Sequence, residues 1–216
     1  MVRPFELPEK TQLFLGVDFG LNNPHAGTLW AITPDGKKFI VDEYYEEGRT
    51  VKQNGEEKGK WLAGKWGKYN LRFGVCDPNQ GAMRDGQTNE TNIDVFRRAF
   101  WSTYRKKTPI IPADRQKGCL EHRINKLKEL LTIRAGGMPE LMIFSTCIHT
   151  MNEFEDYVWK TIKNPDMNQS ERPKDAHNHL MNGCEYIAEK NPKFLQYIFQ
   201  KRELPVYELQ YGNIGR

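Results

Sequence analysis

The sequence predicts an α/β domain: a mixed sheet, an antiparallel meander joined to parallel strands, flanked by helices on both faces. Three observations carry this. Three β-rich runs come first, the second and third around a Pro34-Asp35-Gly36 turn. Short apolar runs then alternate with segments of helical period, as strands and covering helices do. Finally, 216 residues suffice for one sizeable core, and no repeat or linker divides them.

The first strand is Gln12-Leu13-Phe14-Leu15-Gly16-Val17-Asp18, a mostly apolar run of the buried kind that ends abruptly in a carboxylate. Residues 26–33 and 38–45 complete the meander. From 48 to 68 the chain is rich in Gly, Lys and Glu, with Trp61 and Trp66 embedded. It lacks a clean period, so a loop containing at most a short helix is expected. Residues 71–76 form a fourth strand running into Asp77-Pro78, and a Gly- and Asn-rich loop follows to Asn92. Ile93, Phe96, Phe100 and Tyr104 mark a helix, as do Leu120, Ile124, Leu127 and Leu131, with a short strand at 108–112 between them. Residues 141–144 give another strand, and Met151, Phe154, Val158 and Ile162 another helix. An exposed segment, 164–174, leads to a last strong helix over 175–189. The domain is expected to span 11–190, with a leader at 1–10 and an extension at 191–216.

A net charge of +4 suits a polyanionic partner, though mild basicity is common. Cys76, Cys119, Cys147 and Cys184 form no CxxC pair, so they read as reduced, buried thiols rather than a zinc site or disulfide framework. There is neither a secretory leader nor a run of roughly 18 apolar residues, so a soluble, intracellular protein without a membrane is expected.

Strand ends are where α/β sheets place their chemistry, and Asp18 and Asp77 both end strands. If those strands are neighbours, the two carboxylates converge, and two close carboxylates do not both stay ionised without a cation. On the last helix, at about 100° per residue, His179, Asn182, Tyr186 and Asn178 fall on the side of Asp175. Leu180, Cys184, Ile187 and Ala188 fall opposite and form a packing face. Asp175 sits where an N-cap or first-turn acid is expected.

These residues resemble the nuclease domain of the large terminase subunit of tailed bacteriophages, which has an RNase H-like fold. Gly16-Val17-Asp18-Phe19-Gly20, followed by Pro24-His25-Ala26-Gly27-Thr28, is similar to the family's opening strand and hairpin. Val75-Cys76-Asp77-Pro78 resembles its second acidic strand end. Residues 178–186 resemble its closing helix, and Lys117 ahead of Arg123-Ile124 its basic segment. The likeness runs from about 13 to 188. Where the family commonly has acids in the closing helix, this chain has Asn178 and Asn182, which leaves Asp175, or else His179, as the third ligand.

The resemblance implies two Mg²⁺ or Mn²⁺ ions bridged by Asp18, with Asp77, Asp175, His179, Asn182 and Asn178 completing their shells and Asp18, Asp77 and Asp175 catalytic. It implies double-stranded DNA as substrate, held by Arg84, Lys117, Arg123, Arg172 and Lys174, with residues 52–68 and their tryptophans as further contacts. It also implies a packaging ATPase domain, a portal and a small terminase subunit as partners, in the host cell cytoplasm. No GxxxxGK[ST] phosphate loop occurs here, so the ATPase would lie elsewhere. Asp18-Phe19-Gly20 also opens sugar kinases and actin-like ATPases, but the chain is too short for their two lobes. A non-catalytic RNase H-like module remains open because of Asn178 and Asn182, as does a transposase, integrase or resolvase.

Overall fold

The computed structural model describes residues 1–20, 23–84, 89–158, 173 and 177–196. Six strands, β1 (Gln12–Asp18), β2 (His25–Ile32), β3 (Lys38–Glu46), β4 (Asn70–Cys76), β5 (Ile110–Pro112) and β6 (Leu141–Ile143), form one sheet in the order β5-β4-β1-β2-β3-β6. β1 to β3 are the expected antiparallel meander. β4 joins β1, β5 joins β4 and β6 joins β3, all in parallel. Every residue of β1 and β2 is buried. That double-sided burial is why their sequences read as continuous apolar runs rather than alternating ones.

Helices α1 (Val51–Trp66), α2 (Pro78–Ala82), α3 (Asn92–Tyr104), α4 (Cys119–Leu131), α5 (Ile148–Asp156) and α6 (His179–Lys190) cover both faces. Gly16 pairs with Thr28 and Val17 with Gly27, so Gly16 and Gly27 present opposite faces of the sheet. A Cβ on Gly16 would strike the backbone of Gly183 in α6, whereas one on Gly27 would strike Lys58 in α1. The two helices therefore lie on opposite sides. α3 packs along α1, and α4 and α5 flank α6.

The segment expected to be a loop is α1, sixteen residues long. Thr50 and Gln53 close a capping box at its start. Its buried positions are Val51, Asn54, Gly55, Lys58, Gly59, Leu62 and Trp66, a helical stripe made partly of residues normally read as breakers or surface. The glycines are there for contact: a Cβ at Gly55 would lie 2.9 Å from Ala99 Cβ, and one at Gly59 2.0 Å from Thr103 Oγ1. Trp61 and Trp66 donate their indole N–H to Asp42 Oδ2 at 3.0 and 2.7 Å, which fastens α1 to β3. Those indoles are anchors within the fold.

Other boundaries also differ from expectation. α5 ends at Asp156, and Val158 is exposed beyond it; Ile162 and the 164–172 stretch lie outside the described residues. α6 starts at His179 with Asn178 as N-cap, later in the chain than the expected start. The segment set apart as a leader is stitched to the sheet edge, with Val2 bridging Phe144 and Leu7 buried under the Tyr69 hydroxyl. Likewise Leu195, in the expected extension, exchanges two hydrogen bonds with the Gln12 side chain. All four cysteines are free thiols, and burial pushes Cys76 and Cys147 up to about 12. No helix among the described residues is long and apolar enough to cross a membrane.

Candidate metal centre

Parallel pairing of β1 and β4 sets Val17 against Cys76, so the next residues, Asp18 and Asp77, leave the sheet side by side. The Asp77 amide donates to the Val17 carbonyl at 3.0 Å and fixes that junction. Asp77 Oδ1 also accepts from the amides of Asn79 (2.6 Å) and Gln80 (3.2 Å), as the N-cap of α2. With Pro78 next, the short helix holds the carboxylate at the mouth of a cleft.

Asp18 is 5% exposed. Burial raises its carboxyl above the usual carboxylate range and the charge of Asp77 adds to this, while hydrogen bonds from His179 and Asn182 oppose it. His179 reaches Asp18 Oδ2 through Nδ1 at 2.9 Å, and Asn182 Nδ2 reaches the same oxygen at 3.5 Å. The helix brings them there because α6 lies in backbone contact with β1 across the Gly16 and Gly183 pair. Tyr186, on the same side of α6, lines a cleft of about 400 Å³ together with Asp77, Asn79, Gln80, Asp114, Arg115, Cys119, Arg123 and Asn182.

Asp18, Asp77, His179 and Asn182 thus come together from three distant stretches. Asn178, 9% exposed, caps α6 without a side-chain hydrogen bond to its first turn. Asp175, Arg172 and Lys174 lie outside the described residues. Among the described residues, no three His, Cys, Asp or Glu side chains stand together as a ready metal cluster. The donors still fit a divalent cation: carboxylate oxygens, an amide and an imidazole are hard to borderline ligands, and a buried carboxylate beside a second one is the situation a cation relieves.

The expected DNA contacts are spread more widely. Arg84 is exposed and donates to the Asn89 carbonyl, and Lys117 is exposed between β5 and α4. Arg115, which the sequence did not single out, is exposed on the cleft rim. Arg123 is different: it is 6% exposed, pairs with Glu189 at 3.0 Å, donates to the Asp114 carbonyl and lies over the Tyr186 ring. Its guanidinium joins α4 to α6 in place of the expected phosphate contact.

Two buried charged residues near Asp18 gave no sequence signal. Lys58 of α1 is fully buried, its Nζ 3.9 Å from the centre of the Tyr44 ring and without a hydrogen-bond partner. Burial pushes its ammonium well below the usual lysine range, against the pull of Asp18 and Glu46. Glu153 of α5 is 4% exposed and accepts from the amides of Leu180 and Met181. Burial raises its carboxyl, while those amides and the His179 ring lower it.

This architecture has relatives among solved structures. The large terminase of a thermophilic bacteriophage superposes with a TM-score of 0.61 over 88% of this chain, at 18% identity. The fold is that of the large-terminase nuclease domain. The nuclease domain of the bacteriophage SPP1 large terminase, crystallised with manganese, gives a TM-score of 0.55 at 19% identity over 84% of this chain and 87% of that domain. The nuclease domain of the P22 large terminase gives 0.54 at 19% identity over 88% and 86%. The chain spans 42% of the thermophilic phage terminase chain that it matches. No protein-family model and no curated protein matches the chain.

Proposed function

We propose that the chain is a divalent-metal-dependent DNA endonuclease domain of a viral DNA-packaging terminase, acting on concatemeric double-stranded phage DNA. The observation that carries this reading is the meeting of Asp18 and Asp77 at adjacent parallel strand ends with His179 and Asn182 of α6 against Asp18. Asp18 and Asp77 would hold Mg²⁺ or Mn²⁺, with His179, Asn182 and Asn178 beside them and Asp175 as the further acid. Asp18, with Asp77 beside it at the neighbouring strand end and the α6 pair packed over it, would be the central carboxylate of that site. When bound, such cations supply an acidic water and a Lewis acid for a phosphodiester.

The chain's own residues perform the rest. His179 and Asn182 orient the Asp18 carboxylate, and the α2 cap fixes Asp77 at the cleft mouth. Arg115 on the cleft rim, with Lys117 and Arg84, offers positive charge to the DNA backbone, which positions a duplex without reading its sequence. A packaging ATPase, a portal and a small subunit as partners, and the host cytoplasm as location, belong to the same proposal.

A second reading, an RNase H-like module that binds DNA without cutting it, draws on the neutral Asn178 and Asn182 and on the lack of a three-ligand cluster among the described residues. Plasmid digestion with Mg²⁺ or Mn²⁺ decides between them. The wild-type chain should nick or linearise DNA, and Asp18→Ala and Asp77→Ala should not. Asp175→Ala and His179→Ala then identify the third ligand. Retarded but intact plasmid at every metal concentration would favour the second reading.

A further inference from the structure

Helices α5 and α6 both begin without a side-chain cap of their own: the N-cap residues, Cys147 and Asn178, make no capping hydrogen bond. The first N–H groups of a helix need acceptors, and here each set finds a glutamate on another element of the fold. Glu43 of β3 accepts from the amides of His149 (2.9 Å) and Thr150 (2.8 Å) and from the Thr150 hydroxyl (2.7 Å). Glu153 of α5 then accepts from the amides of Leu180 (2.7 Å) and Met181 (3.0 Å), both through Oε2. In each helix the partners are the second and third residues, the donors a side-chain cap ordinarily satisfies. A carboxylate there also meets the positive end of the helix dipole.

The outcome is a relay of acidic caps from β3 to α5 to α6, and its last member grips the turn that carries His179. We infer that Glu153 is a positioning residue of the metal centre, fixing the first turn of α6 so that His179 and Asn182 stand over Asp18. Leu180 and Met181 are themselves buried, so without Glu153 their amides lack an acceptor and the turn must rearrange to find one. Residue 153 is remote in sequence from both 18 and 179, and its effect on the centre passes through the helix backbone. The inference rests on the metal-centre reading given above, and the test separates the two.

Mn²⁺ affinity of the whole chain is measured by titration calorimetry for wild type, Glu153→Gln, Glu153→Ala, His179→Ala and the Glu153→Ala/His179→Ala double variant. The ¹⁵N shift of His179 Nδ1 is recorded in the metal-free proteins. Glu153→Ala should weaken Mn²⁺ binding by roughly tenfold or more, as loss of a ligand-orienting partner does. Glu153→Gln keeps one oxygen for the two amides and should lose less. The His179 shift should move in Glu153→Ala, and the double variant should bind no more weakly than the weaker single one. Unchanged affinity with an unmoved His179 shift would overturn the inference, as would losses that multiply in the double variant. If Glu153→Ala fails to fold, the same two readouts on Glu153→Gln decide. A wild type that binds no Mn²⁺, with the His179 shift still moving, would overturn the metal reading and leave the positioning role standing.

Discussion

Substituting Gly16 with alanine should dismantle the proposed metal centre without touching any of its candidate ligands. A Cβ at Gly16 would lie 2.1 Å from the Gly183 carbonyl oxygen, 2.6 Å from its carbon and 2.7 Å from Thr28 Oγ1. Two of these atoms are backbone, so the clash cannot be relieved by a rotamer change. Ordinary van der Waals separation requires α6 to withdraw from β1 by about 1 Å. The His179 and Asn182 contacts to Asp18, now 2.9 and 3.5 Å, would then pass out of good hydrogen-bond range. Overpacking of this kind costs about 1–3 kcal/mol. For a domain of this size that is a Tm drop on the order of 2–12 °C. Calorimetric melts with and without Mn²⁺ read both effects: a lower Tm, and a smaller rise on adding metal. Gly64→Ala is the control, since nothing lies within 4 Å of a Cβ there and the site is inside α1. It should gain up to about 1 kcal/mol from helix propensity and keep the full metal response. A Gly16→Ala protein with wild-type Tm and undiminished Mn²⁺ stabilisation would refute the idea that backbone contact places the candidate ligands of α6.

Three further predictions follow from buried charge. Glu185, 1% exposed and raised to about 7 mainly by burial against the opposing Tyr157 hydrogen bond and Arg123, binds its proton more tightly in the folded state than in the unfolded one. The stability it contributes is therefore full below the ordinary carboxylate range and lost as pH rises toward 7. Glu185→Gln should overtake wild type by up to roughly 3 kcal/mol at pH 8, and melts in which its advantage shrinks between pH 5 and pH 8 would count against this. Asp18→Asn removes a carboxyl raised by burial and by Asp77, so metal-free Tm at pH 8 should rise while Mn²⁺ no longer raises it further. A metal-free Tm below wild type would show that the carboxylate stabilises the fold on its own. Lys58→Met replaces a buried ammonium lacking a hydrogen-bond partner with an apolar chain of similar length, and should be neutral to stabilising by roughly 1–3 kcal/mol. Because burial lowers the Lys58 pKa, its contribution to stability falls as pH drops from the ordinary lysine range toward the folded value and levels off below it, so melts across pH should show a larger gain on the acid side of that value than on the alkaline side.

The parts of the fold that the sequence announces are those whose signal is local. β1 and β4 show themselves as apolar runs ending in Asp18 and Asp77, and their pairing needs only adjacency to bring the carboxylates together. The face of α6 is equally readable, since helical period alone puts His179 and Asn182 on one side. α1 was hidden because its buried stripe uses Gly55, Gly59, Asn54 and Lys58, residues whose local preference is for turns or solvent. Their value appears only against α3 and the sheet, where a missing Cβ is what allows the approach. Arg123 misleads in the opposite sense: a basic residue on an amphipathic helix looks available to phosphate until Glu189 and Asp114 are brought up to it. Glu43 and Glu153 carry no signal at all, because each acts on a helix start far away in sequence.

These residues explain one another. Asp18 is buried next to Asp77, an arrangement that works against folding in the absence of a cation. The surroundings offset that cost with hydrogen bonds to the Asp18 carboxylate, from the His179 imidazole and from the amide of Asn182. Neither is strong alone, and an acid at 178 or 182 would add negative charge to a place already short of counter-charge. In this protein the neutral asparagines and the His179 imidazole therefore act in the same direction. They make the carboxylate pair tolerable in the metal-free fold, and they leave the proposed centre with fewer charges to hold a cation than a site built from acids alone would have.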